Sequence, residues 1–147
     1  MKKAIIIPSV IIIVSVAALI VQDLTFKHTP ESILKAHFKI NLKGFDYTVE
    51  TFREQWCQNG DGEAFAIYKF NELTQDNIDY LKGFGLKPLP IPEEEIDIML
   101  PTGMPKEHFR IDTGYYIYVP LSSNLRDYRV LILDIEKNIL IFYCQYI

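Results

Sequence analysis

Cysteine, histidine and clustered basic residues are all scarce in this chain, and each scarcity removes a class of function. Only Cys57 and Cys144 are present among 147 residues, so one disulfide at most is available. No cysteine lies near the N-terminus, which excludes a lipid-bearing one there. The three histidines, His28, His37 and His108, are far apart in sequence. None has a second histidine or cysteine at helical or hairpin spacing, so no zinc site is expected. No Lys/Arg cluster follows Lys3, and the net charge is −4, or −6 without Lys2 and Lys3. The electrostatic footprint of a nucleic-acid binder is therefore missing. An acidic domain is also repelled by anionic lipid, so peripheral adsorption to a membrane is not its mode. No phosphate loop, GxSxG or HExxH motif occurs, and no repeat or low-complexity tract.

What the chain does have is one long hydrophobic run. Ala4 to Val21 is apolar except for Ser9 and Ser15, and Met1-Lys2-Lys3 precedes it. Lysines before such a run stay on the cytoplasmic side, which puts the following domain outside. Eighteen residues at about 1.5 Å each reach about 27 Å, enough for a span. Three alternatives stand. The run is an uncleaved anchor, a signal peptide cut near Ser15-Val16-Ala17 or Val16-Ala17-Ala18, or a buried cytosolic helix, for which a segment apolar all round is ill suited. Leu19-Ile20-Val21 continues the apolar run past either cut and favours the anchor. The expected organisation is residues 1–22 as anchor or signal, 23–28 as linker, and 29–147 as one globular domain with enough aromatic residues for a core.

Local patterns predict the elements of that domain. Thr29-Pro30-Glu31 reads as a helix start, with Ile33, Leu34, His37 and Phe38 on its buried face and an end near Leu42-Lys43-Gly44. Phe45, Tyr47 and Val49 alternate with polar residues as a strand does, and the alternation slips at Thr51-Phe52, where a bulge is expected. Asn59-Gly60-Asp61-Gly62 is a turn leading into a second strand, Glu63 to Phe70, paired with the first. Thr74 caps a helix over Gln75 to Lys82, with Ile78 and Leu81 facing inward. Leu86 to Pro92 holds three prolines and is expected to be extended, without ladder pairing on its proline side; Glu93 to Ile98 suits a short helix, and Pro101 to Arg110 a loop.

Three strands close the chain: Tyr115 to Val119, Arg129 to Ile135 and Ile139 to Tyr146. The last two are joined at Glu136-Lys137-Asn138, where Asn suits a left-handed residue. Because they are apolar on both faces, they belong in the middle of a covered sheet. The predicted fold is α+β: a mainly antiparallel sheet of about five strands with helices packed on it, preceded by the hydrophobic N-terminal helix.

Each candidate chemistry meets a plainer reading. Asn59 to Glu63 resembles a calcium loop, but if Gly62 is its sixth position Cys57 is the first and Tyr68 the twelfth. Neither is an acidic ligand, so the segment reads as a turn. A bond between Cys57 and Cys144 needs their strand ends within about 7 Å. No local feature ties either thiol to a histidine base, and His37 reads as a core or boundary residue. Asp46 and Glu50 lie about 13 Å apart along a regular strand, too far for a glycosidase pair. Glu93-Glu94-Glu95 reads as solvated surface, or as a docking patch for a basic partner. No catalytic, cofactor-binding or metal-binding residue is assigned.

Ile40 to Gly62, the strand at Phe65, Leu86-Lys87-Pro88-Leu89-Pro90-Ile91-Pro92, Gly114-Tyr115-Tyr116 and the closing hairpin through Asp134 and Tyr143 carry a resemblance. The pattern is similar to that of small uncharacterised bacterial proteins, membrane-anchored or exported. In them a helix leads to a strand, a Gly-Asp-Gly turn, a Lys-Pro-Leu-Pro segment and a terminal hairpin. The lipid-bearing Cys of some members is lacking here. The resemblance implies location and architecture, and no activity or site residue. The functional expectation is a single-pass, extracytoplasmic, non-enzymatic binding domain that holds the membrane through residues 4–21 and meets a protein partner. An inhibitor or immunity protein against a secreted toxin or enzyme, and a small hydrolase with an unfamiliar site, are the alternatives; secretion after signal cleavage is the alternative location.

Overall fold

A computed structural model describes residues 29–56, 61–99, 105–121 and 127–146. The leader, residues 1–22, the linker 23–28 and the turn at Asn59-Gly60 lie outside the described residues. Among the described residues no helix is long and apolar enough to cross a membrane.

The first helix, α1 (Pro30–Phe38), starts where its caps predict. The Thr29 side chain accepts the backbone N–H of Ser32, and Ser32 Oγ accepts the backbone N–H of Thr29, so two orphan donors are satisfied reciprocally. The helix stops at Phe38, short of the expected Leu42-Lys43-Gly44, with Lys39 left-handed at φ 63°. The reason lies in the next residues. Phe38, Ile40 and Leu42 are all buried, a spacing of two that only extended backbone can deliver to one surface.

Next come β1 (Tyr47–Trp56) and β2 (Gly62–Phe70), an antiparallel pair. The register shifts between Val49 and Thr51, leaving Glu50 as the extra residue of a bulge, one position before the predicted slip. The bulge changes the parity of the strand: Tyr47 and Val49 before it and Phe52 after it all pack on one core cluster. A second helix, α2 (Gln75–Lys82), repeats the reciprocal cap with Thr74 and Asn77 and buries Leu81 completely.

A two-residue strand, β3 (Lys87–Pro88), then pairs with Tyr115 and Tyr116 and makes a sixth strand where five were expected. Pro88 sits at the sheet margin, where its missing N–H costs no ladder bond. After it come α3 (Glu93–Met99) and a 3₁₀ turn (Lys106–Phe109), the latter inside the segment expected to be loop. The chain closes with β4 (Gly114–Pro120), β5 (Tyr128–Asp134) and β6 (Ile139–Tyr146).

The sheet is antiparallel throughout, in the order β1-β2-β6-β5-β4-β3. β6 and β5 are its two central strands, as their two-sided apolarity predicts. On one face Leu131, Leu133, Leu140, Phe142 and Cys144 meet Ile33, Leu34 and Phe38 of α1 and Leu81 of α2. On the other face Tyr128, Val130, Ile132, Ile141 and Tyr143 meet Ile91, Ile96, Phe109 and Ile111 from the segment between β3 and β4. The hairpin between β5 and β6 turns on Asp134, whose buried carboxylate accepts the Lys137 backbone N–H at 2.9 Å, and on Asn138 at φ 54°. This is the left-handed residue that the Asn position predicts.

Candidate functional site

Two places on the described residues combine chemistry with geometry. The first is where the end of α1 meets β6. Alternation along β6 turns Phe142, Cys144 and Tyr146 toward α1. His37 stacks on Phe142 at 5.8 Å between ring centroids. Its Nδ1 lies 3.0 Å from the Tyr146 hydroxyl, and its Nε2 lies 4.0 Å from Cys144 Sγ. The Arg129 guanidinium donates to the His37 carbonyl and lies 5.8 Å from the Phe38 ring.

Sequence spacing gave no hint of this Cys–His contact, because the two residues are 107 positions apart. Its electrostatics oppose nucleophilic chemistry. Burial pushes the Cys144 thiol up to about 12, and Cys144 is inaccessible to solvent. Burial, with the Arg129 and Lys39 charges behind it, holds His37 below its ordinary 6.5. A reactive cysteine needs the reverse: an exposed thiolate beside a cationic histidine. Here a neutral thiol and a neutral imidazole fill a core boundary.

Cys144 is a free thiol, so the Cys57–Cys144 disulfide is not formed; Cys57 itself lies outside the described residues. Cys144 pairs with Ala64, and Ala64 with Glu54.

The other candidates are dispersed. His108 packs on Phe65 at 5.8 Å, on the sheet face opposite His37, and His28 lies outside the described residues. No group of three His, Cys, Asp or Glu able to hold a metal occurs among the described residues. The Asp46 carbonyl accepts the Asn71 N–H, while Glu50 is the bulge residue, so the regular alternation that aligned them is broken. Glu63 accepts the Tyr143 hydroxyl at 3.0 Å. Glu95 lies 3.8 Å from Lys87 Nζ, while Glu93 and Glu94 are exposed.

The second place is an open groove of about 420 Å³ where the α1–β1 connection meets the start of α2. Asn41, Lys43, Gly44, Phe45, Asp76, Asn77 and Tyr80 line it. Tyr80 is 40% exposed, the one large hydrophobic side chain so placed among the described residues. It is nevertheless held. Its hydroxyl accepts the Asn41 N–H at 3.2 Å and donates to the Asn41 carbonyl at 3.1 Å. Its ring packs against Phe45 at 5.6 Å and edge-on against Phe84 at 5.1 Å.

A second cavity of about 270 Å³ adjoins it and shares Asn41 and Lys43. There Tyr47 donates to Glu31 at 3.0 Å, and burial together with that carboxylate raises its phenol to about 12. Sequence reasoning named none of the groove residues as functional. One signal was present: with Ile78 and Leu81 turned inward, Tyr80 must point outward from α2, and an outward aromatic on a short helix invites explanation.

Comparison with known proteins finds no matching family model, curated protein or solved structure.

Proposed function

We propose that the chain is a membrane-anchored, extracytoplasmic binding domain without catalytic activity, and that it takes its ligand at the groove around Tyr80. One observation carries the reading: the exposed aromatic ring of Tyr80 is tethered at its hydroxyl and packs against Phe45 and Phe84. An ordered aromatic loses little entropy on binding, which is why tyrosine so often anchors recognition surfaces. The hydrolase alternative draws little support from the Cys144–His37 pair, which is buried and neutral.

The test is photo-crosslinking in the native membrane. A benzophenone side chain replaces exposed Asp79, next to Tyr80, in the full chain. A discrete adduct that disappears with Tyr80→Ala is expected. Absence of any adduct from the folded protein would sink the reading.

The inhibitor reading is favoured by a separate feature, the exposed acids Glu93, Glu94 and Asp97 on α3. Such a surface speeds association with a basic partner and loses that advantage in salt. Under this reading Glu93→Lys with Glu94→Lys abolishes capture of a basic secreted enzyme, while Tyr80→Ala leaves it intact.

A further inference from the structure

We infer that the Tyr80 groove binds a neutral saccharide; the inference rests on the binding-domain reading and names its ligand class. The groove falls in the size range of small-ligand clefts, roughly 300–1,000 Å³. Its charges nearly cancel, since its lining holds one cation, Lys43, and one anion, Asp76. An ion of either sign therefore finds one attractive and one repulsive partner, whereas a neutral ligand finds only hydrogen-bonding groups.

The hydrogen-bonding inventory is specific. Asn41 Oδ1 already accepts the Lys43 N–H at 3.0 Å, and Asn77 Oδ1 accepts the Thr74 N–H at 3.2 Å. Each amide is thereby oriented, with its NH₂ left to donate. Asp76 supplies an acceptor. Vicinal hydroxyl groups, which donate and accept together, match planar donors beside a carboxylate.

Tyr80 supplies the apolar half. Because its hydroxyl is committed to Asn41 on both counts, what it offers a ligand is ring surface. A pyranose has an apolar C–H face that stacks on such a ring while its edge carries the hydroxyls. A protein partner is the poorer match, because interface centres are built from several apolar or aromatic anchors and Tyr80 stands alone among the described residues.

The experiment uses the full chain, ¹⁵N-labelled, in a detergent without a sugar headgroup. It is titrated with neutral tetrasaccharides of glucose, mannose, galactose and N-acetylglucosamine, and with an anionic uronic-acid tetrasaccharide. At least one neutral series should shift the amides of 41–45 and 76–80 and saturate near millimolar concentration. Tyr80→Ala should weaken it about tenfold or more with the remaining spectrum unchanged, and Tyr80→Phe, which keeps the ring but loses the tether to Asn41, should weaken it less than Tyr80→Ala does. No shift in these segments with any neutral saccharide at about 10 mM overturns the inference. So does binding of the anionic one alone. Combined with a Tyr80-dependent crosslink to a protein, that failure removes the saccharide and leaves the binding domain; with no crosslink either, both readings fall.

Discussion

A methyl group at position 114 would lie 1.9 Å from the Leu133 carbonyl oxygen, inside its van der Waals surface. Gly114 also has φ +135°, a region that side-chain-bearing residues avoid. It opens β4 directly opposite Asp134, so β4 cannot retreat without losing pairing to β5. Gly114→Ala should therefore cost about 2–4 kcal/mol, read as a lower urea midpoint at unchanged slope. A change under about 0.5 kcal/mol would show that the strand relaxes freely. Titrating residues set a second expectation at this scale. His37 and His108 both lie below their ordinary 6.5, chiefly through burial, so the unfolded chain binds protons first as pH falls. Stability is then full above about 6.5 and declines below it. Cys144 moves the other way, from 9.0 to about 12, so the unfolded chain loses its proton first and stability declines as pH rises above 9. Urea midpoints against pH should give a plateau between these limits. Cys144→Ala should remove the part of the alkaline decline that begins near 9, and His37→Gln should shrink the acid decline without abolishing it, because His108 remains. An acid limb unchanged in His37→Gln would contradict the burial of a neutral imidazole there.

Elements whose signals are local were legible in the sequence. The caps at Thr29 and Thr74 involve residues three apart, Asn138 sets its own backbone angle, and two-sided apolarity placed β5 and β6 at the centre of the sheet. The rest depends on contacts that no short window contains. β3 is two residues within a proline-rich stretch and exists only because Tyr115 and Tyr116 pair with it. Likewise Tyr80 and Asn41, which build the groove, are 39 positions apart. The bulge at Glu50 was nearly legible, and it makes a sharp prediction. Deleting Glu50 makes the ladder continuous, with Val49 opposite Tyr68 and Thr51 opposite Ile67, and leaves every side chain on its present face. That deletion should cost about 1 kcal/mol or less, since β1 is an edge strand and Glu50 is exposed. Deleting Ile141 is the contrast. β6 pairs on both sides without a bulge, so the loss transposes Phe142 and Cys144 or Leu140 and Ile139 between two packed faces. That chain should fail to fold, as seen by loss of amide dispersion in NMR. Equal damage from both deletions would mean that the bulge itself holds the strand in place.

For the whole molecule, the described domain carries its own core on both sheet faces, and the hydrophobic leader is expected to add nothing to it. Both faces of the central strands are already covered by residues between 30 and 111. A segment as apolar as Ala4 to Val21 would bury only part of its surface by lying on this domain, and the remainder would face water at roughly 25 cal/mol per Å². Lipid hides the whole circumference. Lys2-Lys3 before the run and Gln22-Asp23 after it are polar flanks, as the proposed anchor would need. The net charge argues the same way. Without Lys2 and Lys3 the net charge goes from −4 to −6, so an anionic surface offers the rest of the chain no attraction; under the proposed anchoring, the apolar run alone would hold it there. Asp23–Ile147 expressed alone should therefore be soluble and unfold cooperatively. The full chain should pellet with membranes, resist alkaline extraction, and expose its C-terminal domain to protease from the outside only. An exported, soluble chain shortened by about twenty residues would replace the anchor with a cleaved signal. A full-length chain that is soluble at its intact mass would refute both, and would require the leader to find its cover on the protein itself.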